Sequence, residues 1–259
     1  MTKSHTLFKN IHKGEDIWVV CSGPSLDYID PSFFDGKIVV GVNRVFQHMR
    51  CDYSICKDPS GFKLKASTGS KSIDYSDGWH LPVPGEKSPL ELITEEDLNG
   101  TKILIAEHEY GNDWFGKTEF HLDFYHFSHL PKISPEAPDL KGIQIDSDKL
   151  VVSYSTTTSA MHLAAYMGAK NIILCGHDCG TIDGEVNIKN YYVDPNRQMV
   201  QPSVHEYAHW IKTDIEGHTR GVKDKLKEVY GVNIHSLNPF INFNLEGHTF
   251  EGSPIYAGK

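Results

Sequence analysis

The chain has 259 residues, of which 39% are hydrophobic and 23% charged, enough apolar material for one large core and far from the make-up of a disordered or fibrous protein. Its formal net charge of -9 repels phosphate backbones, which argues against a nucleic-acid partner. A small phosphorylated ligand is still compatible, because local backbone dipoles hold an anion whatever the net charge.

The N-terminal stretch Met1 to Asn10 has no apolar core of a signal peptide. No apolar run approaches the ~18 residues that a membrane span needs. Five cysteines, Cys21, Cys51, Cys56, Cys175 and Cys179, make an odd set, and two sit in or at the end of apolar runs. That pattern predicts free thiols and a cytoplasmic setting. A homo-oligomer is compatible with these numbers.

The first element is the continuous apolar run Ile17 to Cys21, ended by Ser22-Gly23-Pro24, which predicts a strand buried on both faces of a parallel sheet. A short helical turn follows over 25–29. A second buried strand spans 37–42 and ends at Asn43-Arg44. A third, Cys51 to Cys56, alternates and ends at Lys57-Asp58-Pro59. Residues 60–88 read as loops, and 101–106 as another strand. From 107 to 148 the chain is rich in aromatics and histidine without a clear period, so about 60–148 reads as a variable insertion.

Regular patterning returns near Leu150. A helix is predicted over 156–168, with Met161, Ala164, Ala165 and Met167 as its apolar stripe and Gly168 as its stop. Asn171 to Gly176 is the clearest strand of the chain. Residues 181–201 are polar, and about 181–218 reads as a lid-like segment, with 205–212 helical. A last helix is predicted over 222–230, stopped at Gly231, and a last strand over 232–237 before Asn238-Pro239. Helices alternating with buried strands predict one α/β domain spanning 1–259, a Rossmann-like, mostly parallel sheet flanked by helices.

In such sheets ligands sit beyond the carboxyl ends of the strands. The residues there are Ser22, Gly23, Pro24 and Ser25; Asn43 and Arg44; Asp58; and Gly176, His177 and Asp178. In the first turn Gly23 permits close backbone approach, Pro24 suits a first helical position, and Ser25 can cap, leaving N–H groups for an anion. Taken alone, this motif is better explained as an ordinary tight turn between strand and helix. Asn43 suits a sugar or base edge, Arg44 a phosphate, and Asp58 a ribose hydroxyl or a metal ion, although Asn43 and Asp58 are also common turn residues and Arg44 fits a solvated surface charge. Ser155 to Ser159 supplies five hydroxyls at a helix start, where an N-cap needs one.

Cys175, His177, Asp178 and Cys179 do not make a metal set, since neighbours on a strand point to opposite faces and no second ligand pair completes one. His205 and His209 are spaced as on one helical face, a spacing that surface histidines often share. His218, ahead of the last predicted helix, has the chemistry of a general base near neutral pH.

The motifs Cys21 to Asp27, Asn43, Asp58-Pro59, Ser155-Thr156-Thr157, Ile172 to Asp178 and Gly217-His218-Thr219 occur in an order that resembles two related groups. One is the bacterial sialyltransferases that use CMP-sialic acid. The other contains motility accessory factors and archaeal hydroxymethylpterin pyrophosphokinases. The resemblance covers the two ends of the chain and not 60–148.

It implies that Ser22 to Ser25 and Asn43 bind the nucleotide, that Asp58 contacts ribose or base, and that Thr156 and Thr157 face the donor sugar or phosphate. It further implies that Tyr191 or Tyr192 stabilises the departing phosphate and that His218 deprotonates the acceptor. The expected function is therefore a glycosyltransferase with a nucleotide-sugar donor, CMP-linked, a carbohydrate acceptor and no required cofactor. The alternatives are a pterin pyrophosphokinase using ATP and Mg2+, which Asp58-Pro59 and Gly176-His177-Asp178 also fit, or a non-catalytic nucleotide-binding accessory protein.

Overall fold

The computed structural model describes residues 2–43, 45–56, 98–106, 124–127, 130, 140–153, 155–178, 188–189 and 216–237. Eight strands make one sheet: β1 Thr2–Ser4, β2 Asp16–Val20, β3 Ile38–Val42, β4 Tyr53–Cys56, β5 Lys102–Ala106, β6 Phe124–Phe127, β7 Asn171–Cys175 and β8 Asn233–Ser236. Their order is β1-β6-β5-β4-β3-β2-β7-β8, and every pairing is parallel. Two α-helices are described, α1 Thr156–Tyr166 and α2 Glu216–Tyr230, with short 3-10 turns at Pro24–Tyr28, Pro31–Phe34 and Val45–Gln47.

The continuous apolar strands follow from a sheet covered on both faces. Alternate side chains divide between two clusters. Ile17, Val19, Val40, Val42, Ile172 and Leu174 pack with α1 and with Val222 and Leu226 of α2. Trp18, Val20, Val39, Ile173 and Cys175 pack with Ile29, Phe33, Phe34, Val45 and Phe46 from the 3-10 turns. The polar positions of β4 do not reach solvent: Ser54 is buried and its hydroxyl donates to the Asn43 carbonyl at 2.7 Å.

Helix α1 carries no exposed face. All eleven of its residues are buried, so the single apolar stripe predicted from the sequence is part of a helix packed on every side. Burying side chains as large as Met161 and Leu163 is worth about 1.5–3 kcal/mol each. The polar residues follow α1 inward only with partners. His162 accepts from the Val151 N–H at 2.9 Å and meets the Tyr230 hydroxyl at 3.2 Å. The helix is capped by the Ser155 side chain, which accepts from the Thr157 N–H at 3.2 Å, and the chain leaves it at Gly168, whose φ of +91° suits a residue without a Cβ.

Three expectations change. Helix α2 begins at Glu216 and not at Val222, so His218 lies inside its first turn. Strands β1 and β6, which pair with each other, were not foreseen: β1 is a three-residue polar stretch, and β6 falls within the segment read as an insertion. Residues 60–88, the helix proposed over 205–212, and most of the lid-like segment lie outside the described residues.

Candidate functional site

The strand order reverses direction at one place. From β2 the chain adds β3, β4, β5 and β6 on one side, and β7 and β8 on the other. The loops leaving β2 and β7 therefore flank the switch point, the place where ligands sit in doubly wound sheets. These are Ser22 to Ser25 and Gly176 to Asp178, and the structure draws them into direct contact.

The Cys21 N–H donates to the Cys175 carbonyl and the Gly23 N–H to the Gly176 carbonyl, both at 2.8 Å. The parallel ladder thus continues past the strands into the turns. Two glycines permit it. A Cβ on Gly23 would strike the Gly176 carbonyl oxygen and come within 2.5 Å of Asp178 Oδ2. Gly176 has a φ of +65°, and a Cβ there would strike the Cys21 carbonyl oxygen.

Asp178 closes the junction. Its Oδ2 accepts from the Ser25 N–H at 2.7 Å and its Oδ1 from the Ser25 hydroxyl at 2.6 Å, with both residues buried. Gly23, not Ser25, stands at the N-cap of the 3-10 turn Pro24–Tyr28, and no side chain caps it from within the turn. The anion at this turn is the protein's own carboxylate. Burial pushes the Asp178 pKa up to about 6, against the lowering effect of its two bonds from Ser25.

His177 points the other way, between the two helices. Its Nδ1 lies 3.5 Å from Thr157 Oγ1 in the first turn of α1, and its Nε2 lies 3.1 Å from Thr219 Oγ1 in the first turn of α2. The Thr157 hydroxyl also meets the Cys21 thiol at 3.2 Å. His177, Thr157 and Thr219 are buried. Burial lowers the His177 pKa to about 4, so the ring is neutral at physiological pH. Desolvation raises the Cys21 thiol to about 12, which makes it a packing group and not a nucleophile.

The hydroxyl run at the start of α1 divides by role. Ser155 is the cap. Thr158 Oγ1 donates to the Ser155 carbonyl at 2.7 Å and meets Ser153 Oγ at 2.7 Å. Ser159 donates to the Val151 carbonyl at 2.7 Å, and Thr157 faces Cys21 and His177. Thr156 is the member whose hydroxyl has no such bond among the described residues. Asn43, at the end of β3, is exposed, with its backbone in the left-handed region at φ +57°. An Asn accepts that conformation more readily than most residues. Ser22 and His218 are half-buried on the same rim.

Arg44, Asp58, Tyr191, Tyr192, Cys179, His205 and His209 lie outside the described residues. Residues 188–189, described within the 181–218 segment, touch the turn after β2. The Ile188 N–H donates to the Ser22 carbonyl at 2.8 Å and the Lys189 N–H to the Asp27 carboxylate at 3.2 Å, which ties 188–189 to the turn after β2. A cavity of about 250 Å³ beside this tie is lined by apolar side chains such as Leu26, Phe34 and Met49 and by the polar residues Asp27, His48 and Lys189. Among the described residues, no three of His, Cys, Asp and Glu gather as a metal set, and no helix is long and apolar enough to cross a membrane.

Cys21 and Thr219 are parts of the rim that sequence reasoning missed. The usable signal was the pair of glycines at neighbouring strand ends, which marks where two backbones touch.

Models of known protein families give no match to the chain, and neither do curated proteins. Among solved structures, the chain is similar to the sialyltransferase CST-II in complex with a trisaccharide acceptor and CMP. The identity is 13% over 95% of this chain and 89% of that one, with a TM-score of 0.47. A point variant of CST-II in complex with CMP is similar at 14% identity, with the same coverage and TM-score.

Proposed function

We propose that the chain is a glycosyltransferase that takes a CMP-linked sugar and passes it to a carbohydrate hydroxyl, with His218 as the general base. The observation that carries this reading is the bridge through His177. It joins the first turn of α1, which carries Thr156, to the first turn of α2, which carries His218, beside the turn after β7. The ordered motif resemblance supports the same assignment.

In the proposed reaction the donor phosphate lies at the start of α1, where helix N–H groups and the Thr156 hydroxyl favour an anion. Asn43 and Ser22 meet the sugar or base edge of the nucleotide, together with Arg44 and Asp58. The acceptor oxygen forms its bond to the anomeric carbon as the bond from that carbon to the phosphate oxygen breaks. The acceptor proton passes to His218, and CMP leaves with the bonding pair. Tyr191 or Tyr192 donates to the leaving phosphate. A positioned base of this kind supplies about 10²–10⁴-fold in rate.

Of the two carboxylates a pyrophosphokinase reading would use for Mg2+, Asp178 has both oxygens engaged by Ser25, and Asp58 lies outside the described residues.

The test is transfer and donor hydrolysis with a panel of CMP-, UDP- and GDP-sugars, with and without EDTA. The expected outcome is turnover of a CMP-sugar that EDTA leaves unchanged, with His218→Ala slower by about 10²-fold or more. Mg2+-dependent release of AMP from ATP would replace this reading with the kinase. Full activity of His218→Ala would remove the proposed base.

A further inference from the structure

Three consecutive residues after β7 tie together three other segments of the rim. Gly176 receives the turn after β2 through its carbonyl, Asp178 receives it again through its carboxylate, and His177 reaches both helix starts. In the sequence all three were candidates for touching a nucleotide. In the structure their polar groups face inward.

We propose that His177 is a positioning residue: held between Thr157 and Thr219, its ring sets the first turn of α2 against the first turn of α1 and so places His218 on the rim. This rests on the reading of His218 as the base and assigns that base its support.

The imidazole suits the task for a chemical reason. A neutral imidazole has one donor and one acceptor on its two nitrogens, and a threonine hydroxyl can serve as either. The ring therefore satisfies two hydroxyls on two different helices at once. All of the bonded groups are buried, so water cannot replace a lost bond without entering the core. The neutral state that burial imposes keeps both roles available.

The arrangement recurs along the helix pair. His162 of α1 meets Tyr230 at the far end of α2 at 3.2 Å, and the aliphatic contacts through Val222 and Leu226 lie between. A histidine thus joins the two helices at two levels, and the rim-side bond is made to Thr219, the chain neighbour of His218. Thr219 is wholly buried while His218 is half-buried, so the bond to Thr219 sets the rotation of α2 that leaves its neighbour at the rim.

The experiment compares wild type, T219V, T219S and H177N. T219V keeps the shape of the side chain and removes the hydroxyl; T219S keeps the hydroxyl. With whichever CMP-sugar the wild type turns over, T219V and H177N are expected to lose kcat by about 100-fold, the scale of a misplacement of about 1 Å. Kd for CMP should move by less than about 3-fold, because the proposed nucleotide contacts are elsewhere. T219S should stay within about 2-fold of wild type in both.

In parallel, the His218 ring resonances are followed by NMR. They are expected to shift in T219V and H177N and to coincide with wild type in T219S. Unchanged kcat and unchanged His218 resonances in folded T219V would overturn the proposal. A loss of CMP affinity matching the loss of kcat would also overturn it, by making His177 a ligand contact. If wild type turns over no CMP-sugar, the transferase reading fails by itself, and the NMR comparison still decides whether His177 places His218. Should T219V not fold, H177N carries the same two readouts.

Discussion

Asp178 and His177 are neighbours in the chain that burial shifts in opposite directions. The folded pKa of Asp178 is raised to about 6, so its linkage contributes stability below the ordinary carboxylate range and loses it as pH rises through 6. The folded pKa of His177 is lowered to about 4, so its contribution is present above the ordinary imidazole value of about 6.5 and is lost as pH falls toward 4. The two slopes share one window and oppose each other. Urea denaturation from pH 4 to 6.5 should show this in the single variants. Relative to wild type, H177Q should lose stability more steeply as pH rises, and D178N should gain it. Parallel curves for all three proteins would mean that neither group titrates differently on folding.

The same two residues show the limit of reading side chains singly. An Asp and a His after a strand have the appearance of ligand contacts. Only their distances to Ser25, Thr157 and Thr219 show that they join the protein to itself.

At the scale of elements, the start of α1 separates hydroxyls that hold the helix from the one that does not. Thr158 bonds to Ser155 and Ser153, whereas the Thr156 hydroxyl makes no such bond among the described residues. Replacing Thr158 by Val should therefore cost about 1–3 kcal/mol in chemical denaturation, because buried polar groups lose their partner. Thr156→Val should leave stability within about 0.5 kcal/mol and weaken CMP binding several-fold by calorimetry. Equal losses of stability in the two variants would contradict the division.

The strands β2, β3, β5 and β7 were legible because a sheet buried on both faces leaves short unbroken apolar runs, whereas β4 and β8 showed as alternating stretches beside turn residues. The opening of α2 was not. Gly217 and Gly221 each weaken a helix by about 1 kcal/mol relative to Ala, so the stretch before Val222 has little helical propensity. Packing restores it: Thr219 is bonded to His177, and Gly221 lies against Leu140 with little room for a Cβ. Strand β1 was hidden for a related reason. Thr2, Lys3 and Ser4 have no pattern of their own, and they become a strand by pairing with β6.

At the scale of the molecule, the charge of -9 and the all-parallel sheet are compatible with the proposed small ligand, held by local dipoles at the switch point. Thermal melting in the presence of nucleotides tests this directly. CMP at about 100 times its dissociation constant should stabilise the protein by about 2.7 kcal/mol, while ATP and a DNA duplex should leave the melting curve in place. A shift with ATP and none with CMP would overturn the nucleotide assignment.

By itself the sequence determined the class of the fold and the rim on which a site would lie. Unbroken apolar strands require cover on both faces, and the chain must leave each strand at its carboxyl end. Only the tertiary structure decided what each rim residue does. β2 and β7 are some 150 residues apart in the chain and adjacent in the sheet, a pairing that no local pattern encodes. Once they are side by side, Gly23 and Gly176 bring their turns into contact, Asp178 takes the position of an anion, and His177 is spent between two helices. Asn43 stays exposed at the end of β3, and His218 is half-buried and Thr156 buried at the two helix starts; the proposed chemistry draws on these three.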